Sequence, residues 1–303
     1  MILSVGDLMI DMYRDDDKEE VGGSALNFAY WMSRFGRKCG VLGRVGCDKY
    51  GDEIISFLKD NDIFSHVIKD NLHPTGRIII TRNDCGLMSF ECFRGANAHF
   101  QGDDVRSDIL KDADWLQISG HTFKESLPRK AAKKTINVFL GSFKGISVDA
   151  ASFAHINEVG TQSALKEYKG ANLVFLNYKE GIALTGFKDP EKIIEAMLAE
   201  FDVVALKLGN QGCMAALRSN KDIVKVEAEN VKEVDSNGAG DAFDAAFLHM
   251  YLEGRGLFDC LKIANKLGAA VASKFGPHPE IEKDELDEVF SDITLQEDIF
   301  SGH

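Results

Sequence analysis

The stretch from Trp115 to Leu208 decides the fold. It carries four short apolar runs, Trp115-Leu-Gln-Ile118, Gly145-Ile-Ser-Val148, Leu173-Val-Phe-Leu176 and Val203-Val-Ala-Leu-Lys-Leu208, with helical patterns between them. Short apolar runs of this kind read as strands buried on both faces, and strands alternating with helices build a parallel sheet covered on both sides. The expected class is α/β, a doubly wound, mostly parallel sheet with helices on both faces. Toward the N-terminus, Ile2 to Ile10 reads as one strand interrupted by Gly6 and Asp7, and the acidic tract Asp15 to Glu20 as a solvated hairpin. Gly22-Gly23 open a helical segment with Leu26, Ala29, Tyr30 and Ser33 on one face, closed by Gly36 as a C-terminal glycine cap. Two β-rich runs beginning at Arg77 and Leu87 flank Asn83-Asp84-Cys85-Gly86, a hairpin signal that predicts a small β appendage.

Composition narrows the partners. The 303 residues carry 35 Lys+Arg against 48 Asp+Glu, a formal charge of 35 − 48 = −13. That balance disfavours nucleic acid, whose binding depends on cations that neutralise phosphates, but leaves room for a small anionic ligand. Six cysteines, at 39, 47, 85, 92, 213 and 260, include no C-x-x-C pair, which points to reduced thiols and a cytoplasmic setting. The N-terminus has no basic leader, and no run approaches the roughly 18 apolar residues of a membrane span.

The segment Val234-Asp235-Ser236-Asn237-Gly238-Ala239-Gly240-Asp241-Ala242-Phe243 carries the chemistry. Small residues at 238–240 let a ligand approach the backbone, and the helix that begins here offers unpaired N–H groups and a positive dipole end. Asp241, in its first turn, is placed to accept a proton from a hydroxyl that attacks a bound phosphate. The plainer alternative is a helix-start carboxylate after a tight turn. No Walker A loop, protein-kinase catalytic loop, nucleophile elbow or H-E-x-x-H motif is present.

The run around Gly238-Ala-Gly-Asp241 resembles a hallmark of the ribokinase-like carbohydrate kinases, the phosphofructokinase-B family. Gly22-Gly23-Ser-Ala-Leu-Asn27-Phe-Ala29, with Gly36 and Gly46, resembles a second. The likeness runs from Val5-Gly6-Asp7 to Lys274-Phe-Gly276 and implies one kinase domain over 1–303, with a β lid built from segments near 12–21 and 66–94. It implies Asp241 as general base and Gly238, Ala239 and Gly240 as an anion hole. It further implies Asp11, Gly23 and Asn27 on the sugar, and Asn177 and Glu180 organising Mg²⁺ and phosphates, Glu180 through water. Lys207, Gly209, Gly212 and Asn265 fall on the ATP side. Asp235 matches part of a monovalent-cation (K⁺) site seen in some members. Ser24 stands where ribokinases carry Lys, which argues against ribose.

Other readings stay open beside these. Asn177 with Glu180 is also a capping pattern. Arg94, taken as a substrate ligand, and Arg77 suit a sugar acid or the γ-phosphate, or are edge-strand cations. His99, His121 and His278 read as ordinary. The expected activity is ATP-dependent phosphorylation of a primary hydroxyl of a monosaccharide or sugar acid. The rivals are a nucleoside kinase, for which Phe90, Phe93 and Phe100 would supply aromatic lining, and a sensor without turnover. Lid strands pairing through Ile78-Ile79-Ile80 would make a homodimer.

Overall fold

In the computed structural model, which describes residues 1–82, 88–140 and 145–291, the first strand ends early. Gly6 has φ +145°, and a Cβ there would stand 2.7 Å from Thr122 Oγ1. The run from Ile2 to Ile10 is therefore two strands in two different sheets, not one: β1 (Ile2–Val5) and β2 (Met9–Tyr13). The acidic tract turns into β3 (Lys18–Gly22), antiparallel to β2. Then follow α1 (Ser24–Arg34), β4 (Cys39–Gly46), α2 (Lys49–Asp60), β5 (Phe64–Asp70), β6 (Gly76–Arg82) and β7 (Met88–Phe93). The middle of the chain contributes α3 (Ser107–Lys111), β8 (Trp115–Ser119), α4 (Ser126–Leu140), β9 (Gly145–Asp149), α5 (Phe153–Val159), α6 (Thr161–Glu167), β10 (Leu173–Asn177) and α7 (Tyr178–Thr185). The last third contributes α8 (Pro190–Met197), β11 (Val203–Lys207), β12 (Cys213–Leu217), β13 (Ile223–Val226), α9 (Ala239–Leu252), α10 (Leu257–Ala272) and α11 (Lys283–Ser291).

The large sheet has the order β13-β12-β11-β10-β9-β8-β1-β4-β5. It is parallel from β11 to β5, with β12 and β13 antiparallel at one edge. β1 pairs with β4 on one flank and β8 on the other, so the winding reverses beside it. Such a switch point leaves a crevice at the carboxyl ends of the strands, where open α/β sheets take ligands. Strand side chains alternate between two cores. Ile2, Val41, Val45 and Phe175 join α1, α2, α9 and α10 on one face, while Leu3, Val5, Leu42 and Val174 meet α4 to α8 on the other. Helix α1 buries more than the expected stripe: Ala25, Phe28, Trp31 and Met32 are inside with Leu26 and Ala29, whereas Tyr30 and Ser33 are half-buried.

The small sheet has the order β3-β2-β6-β7. Its hairpin strands β6 and β7 are antiparallel, and the turn expected at 83–86 lies outside the described residues, as does Cys85. The expected appendage segment near 66–94 starts too early, because Phe64–Asp70 is the parallel edge strand of the large sheet. Of the three isoleucines expected to meet a second copy, Ile80 is buried and Ile78 faces a cavity. Among the described residues no helix is long and apolar enough to cross a membrane. Cys39, Cys47, Cys92, Cys213 and Cys260 are free thiols.

Candidate active site

The N-terminus of α9 separates two cavities. Gly238 is its N-cap residue, in the left-handed region at φ +75°, and a Cβ there would come within 2.7 Å of Pro277. No side chain caps this end; the Ala239 amide donates to the Ser236 carbonyl at 3.3 Å, and the amides of Gly240 and Asp241 stay available to a ligand. Ala239 and Gly240 line one cavity, of about 270 Å³, and Asp241 lines the other, of about 350 Å³. One helical turn thus presents backbone donors to one chamber and a carboxylate to its neighbour.

The larger cavity lies between the switch point and the small sheet. Asp11 enters it from β2, Gly23 and Asn27 from the start of α1, and Arg94 from just beyond β7. Gly22 and Gly23 are demanded by close approach: a Cβ on Gly22 would meet Asp11 Oδ2 at 2.3 Å, and one on Gly23 would meet the Asp7 carbonyl at 2.4 Å. Asn27 Nδ2 donates to Asp241 Oδ2 at 2.8 Å, and Asn237 Nδ2 donates to Asp11 Oδ2 at 2.7 Å. Their opposite oxygens, Asp11 Oδ1 and Asn27 Oδ1, are buried without a partner. Burial pushes Asp241 up to about 7, reinforced by Asp149 and Asp11 and opposed by Asn27 and Lys207. Asp11 also rises to about 7, chiefly by burial, with Asp235 and Glu20 adding repulsion.

Arg94 reaches this cavity with its fork already occupied. Nη1 donates to Asp7 Oδ2, Nη2 donates to the His121 carbonyl at 3.2 Å, and Nε lies 3.2 Å from Glu125 Oε2. Burial works against its charge, but Asp7 and Glu125 more than offset that and hold the guanidinium above its ordinary value. Arg77 lines neither cavity. Of the three expected aromatics only Phe90 lines this cavity; Phe93 is exposed and Phe100 lies in the core. His121, read as ordinary, lines it too. His278 is half-buried and packs on Tyr30 and Phe57, and His99 stacks on His73.

Lys207, Gly209, Gly212 and Asn265 all border the smaller cavity. Gly212 has φ +84°, and a Cβ would stand 2.0 Å from the Val226 carbonyl. Asn265 Nδ2 holds the Glu227 carbonyl at 2.9 Å. Lys207 Nζ donates to Asp244 Oδ1 at 2.8 Å and lies 3.7 Å from Asp149 Oδ1. Burial opposes its charge, yet Asp149, Asp244 and Glu180 keep the ammonium above its usual value.

Asn177 and Glu180 form a complete capping box at the start of α7, with Asn177 N–H on Glu180 Oε2 at 2.8 Å and Glu180 N–H on Asn177 Oδ1 at 3.0 Å. They line neither cavity, but burial and the charge of Asp149 push Glu180 up to about 7. Asp149, Glu180, Asp241 and Asp244 therefore crowd around one lysine. Among the described residues no group of three or more ligands forms a metal cage. Mg²⁺ does not need one, because it keeps waters and uses one or two carboxylates beside substrate phosphates, and this surplus of hard oxygens fits it. Asp235 does not fit an open K⁺ ligand: it accepts from Tyr13 Oη at 2.8 Å and from the Asn237 and Gly276 amides at 3.0 Å each.

Sequence reading missed Asp149, Asp7, Glu125 and the role of Asn237. The available signal for Asp149 was its place directly after a buried apolar run, where a parallel strand delivers its last side chain to the ligand end of the sheet.

Comparison with known proteins shows the family and the fold. Residues 1–284 match the family model described as pfkB family carbohydrate kinase. A sugar kinase of Pyrococcus horikoshii is 28% identical, with 94% of each chain covered. A 5-dehydro-2-deoxygluconokinase of Mesomycoplasma hyopneumoniae is also 28% identical, over 78% of this chain and 73% of its own. An Escherichia coli protein solved with ATP and Mg²⁺, titled a ribokinase II, superposes with a TM-score of 0.85 at 23% identity, covering 96% of this chain and 97% of its own.

Proposed function

The chain belongs to the pfkB family of carbohydrate kinases, and from that premise we propose that it transfers the γ-phosphoryl group of ATP to a primary hydroxyl of a monosaccharide or sugar acid, with Asp241 as general base. The observation that carries this reading is the shared helical turn, with Gly240 on one cavity and Asp241 on the other. The sugar sits against Asp11, Gly23 and Asn27. The nucleotide lies along Gly209, Gly212 and Asn265 with its phosphates toward Lys207 and the amides of residues 238–240. As the sugar oxygen bonds to the γ-phosphorus, the bond to the β,γ-bridging oxygen breaks and ADP leaves. Asp241 takes the hydroxyl proton, and the helix amides meet charge on the transferring oxygens. Phosphoryl transfer asks the protein mainly for positioning and charge stabilisation.

A base of this kind contributes roughly 10²–10⁴-fold, most when its pKa lies near the working pH. The pKa of Asp241, about 7, fits that task. A bound Mg²⁺ neutralises phosphate charge; Asp149, and Glu180 through water, are the residues that would hold it. The small sheet serves as a lid that excludes water. Relatives named for a gluconate derivative keep acids among the candidate acceptors. The nucleoside reading is disfavoured because one aromatic, Phe90, lines the cavity of the three expected. The test is ADP release by wild type and Asp241→Asn across sugars and sugar acids, with binding followed by calorimetry. Loss of turnover with binding retained supports the assignment; substantial activity in the variant removes it.

A further inference from the structure

Of the buried polar atoms left open by residues lining the larger cavity, those of Asp11 and Asn27 are acceptors, and the third, Arg94 Nε, is a donor 3.2 Å from Glu125 Oε2. Asp11 and Asn27 are 1% and 2% exposed, both line the cavity, and each has a side-chain oxygen without a partner. Above about pH 7, where Asp241 is ionised and only accepts, the Asn27 amide keeps its NH₂ toward that carboxylate. Both open oxygens are acceptors, so the ligand they satisfy must bring donors. Sugar hydroxyls do so, whereas a substrate carboxylate brings acceptors alone.

The cations nearby do not offset this. Arg94 is ion-paired with both Asp7 and Glu125 and donates to the His121 carbonyl, so its charge is already balanced although Nε makes no hydrogen bond. Burial lowers the pKa of His121, which keeps its ring neutral. Lys124 is exposed at the rim, where water screens it. Three carboxylates in the lining (Asp7, Asp11 and Asp241) thus face two cations, one already paired and one screened.

We propose that the cavity selects uncharged polyhydroxy sugars over their carboxylate-bearing counterparts, and that Asp7 and Glu125 impose the selection by neutralising Arg94. The inference rests on reading this cavity as the sugar site. An acidic substrate would confront unpaired acceptors and like charge, the repulsive element by which specific sites reject near relatives.

The test uses matched pairs, an aldose with its aldonic acid and a 2-ketose with its ketoaldonic acid, in an ADP-release assay at pH 8. Wild type should prefer the neutral member by about tenfold or more in kcat/KM, as expected for a site whose buried acceptors lose their partners. Asp7→Asn and Glu125→Gln should each raise the acid-to-neutral ratio severalfold by releasing Arg94. Glu125 is partly exposed, so its variant keeps the test open where Asp7→Asn fails to fold. Preference for the acid by wild type, or an unchanged ratio in the folded variants, overturns the selection while leaving the kinase reading intact. No turnover of either set, with no calorimetric binding to Asp241→Asn, overturns the sugar-site reading and this inference with it.

Discussion

Asp241 is held near neutrality by its surroundings rather than by its chemistry. Burial and Asp149 raise it, so kcat/KM should climb with pH through about 7 and level off above, if ionised Asp241 is the active form. Asp149→Asn removes the like charge and should move that acid limb to lower pH, a shift read from the pH profile. An unmoved limb would mean that another group sets it. Asp149 is also the residue hardest to find beforehand. The glycines and Asp241 stand in one contiguous run, whereas Asp149 meets Lys207 only after β9 and β11 have been placed on either side of β10. Linear spacing reveals local turns and misses partners brought together by a sheet. The same limit made Arg94 look available: its neighbours Asp7 and Glu125 come from opposite sides in sequence.

At the scale of elements, the entry to α9 is built by Gly238. An Ala there would carry a Cβ in the left-handed region, against Pro277 at 2.7 Å, and the loop would have to move. Gly238→Ala should therefore cut kcat by roughly 10²-fold or more, the scale of losing one anion-hole donor, while sugar binding in the other cavity changes little. Steady-state kinetics beside sugar calorimetry checks this; equal losses in both would place the damage in folding. The alternating strands and helices were legible because each buried strand is a short apolar block. The division of Ile2–Ile10 was not, since apolar residues on both sides of Gly6 serve two sheets, and the second of these is completed by β6 and β7 far along the chain.

Across the whole molecule, the concentration of raised carboxylates sets a stability trend. Asp11, Asp241 and Glu180 each have a folded pKa of about 7, above their ordinary values. At these three groups the folded state holds more protons than the unfolded chain between about pH 4 and 7, so their contribution to stability is greatest below that window and falls as pH rises through it. The lowered pKa values of His249 and His278 act in the opposite sense below about pH 6.5. Each group accounts for on the order of a few kcal/mol at most. The apo protein should melt at a higher temperature near pH 5.5 than near pH 8, and Asp241→Asn should flatten the difference; scanning calorimetry reads both.

The position of β1 governs how the chain can be assembled as it is synthesised. Strand β1 is seated between β4 and β8, both of which follow it in the chain, and its register to β8 begins at Trp115. A nascent chain of the first 114 residues leaves one flank of that apolar strand open, with backbone donors and acceptors unmet. Such a fragment should be cut rapidly by protease, and resistance should appear only in lengths that include β8 and the segments beyond it. A strand that precedes both its sheet partners in the chain ties its own protection to arrival of the segment carrying β8.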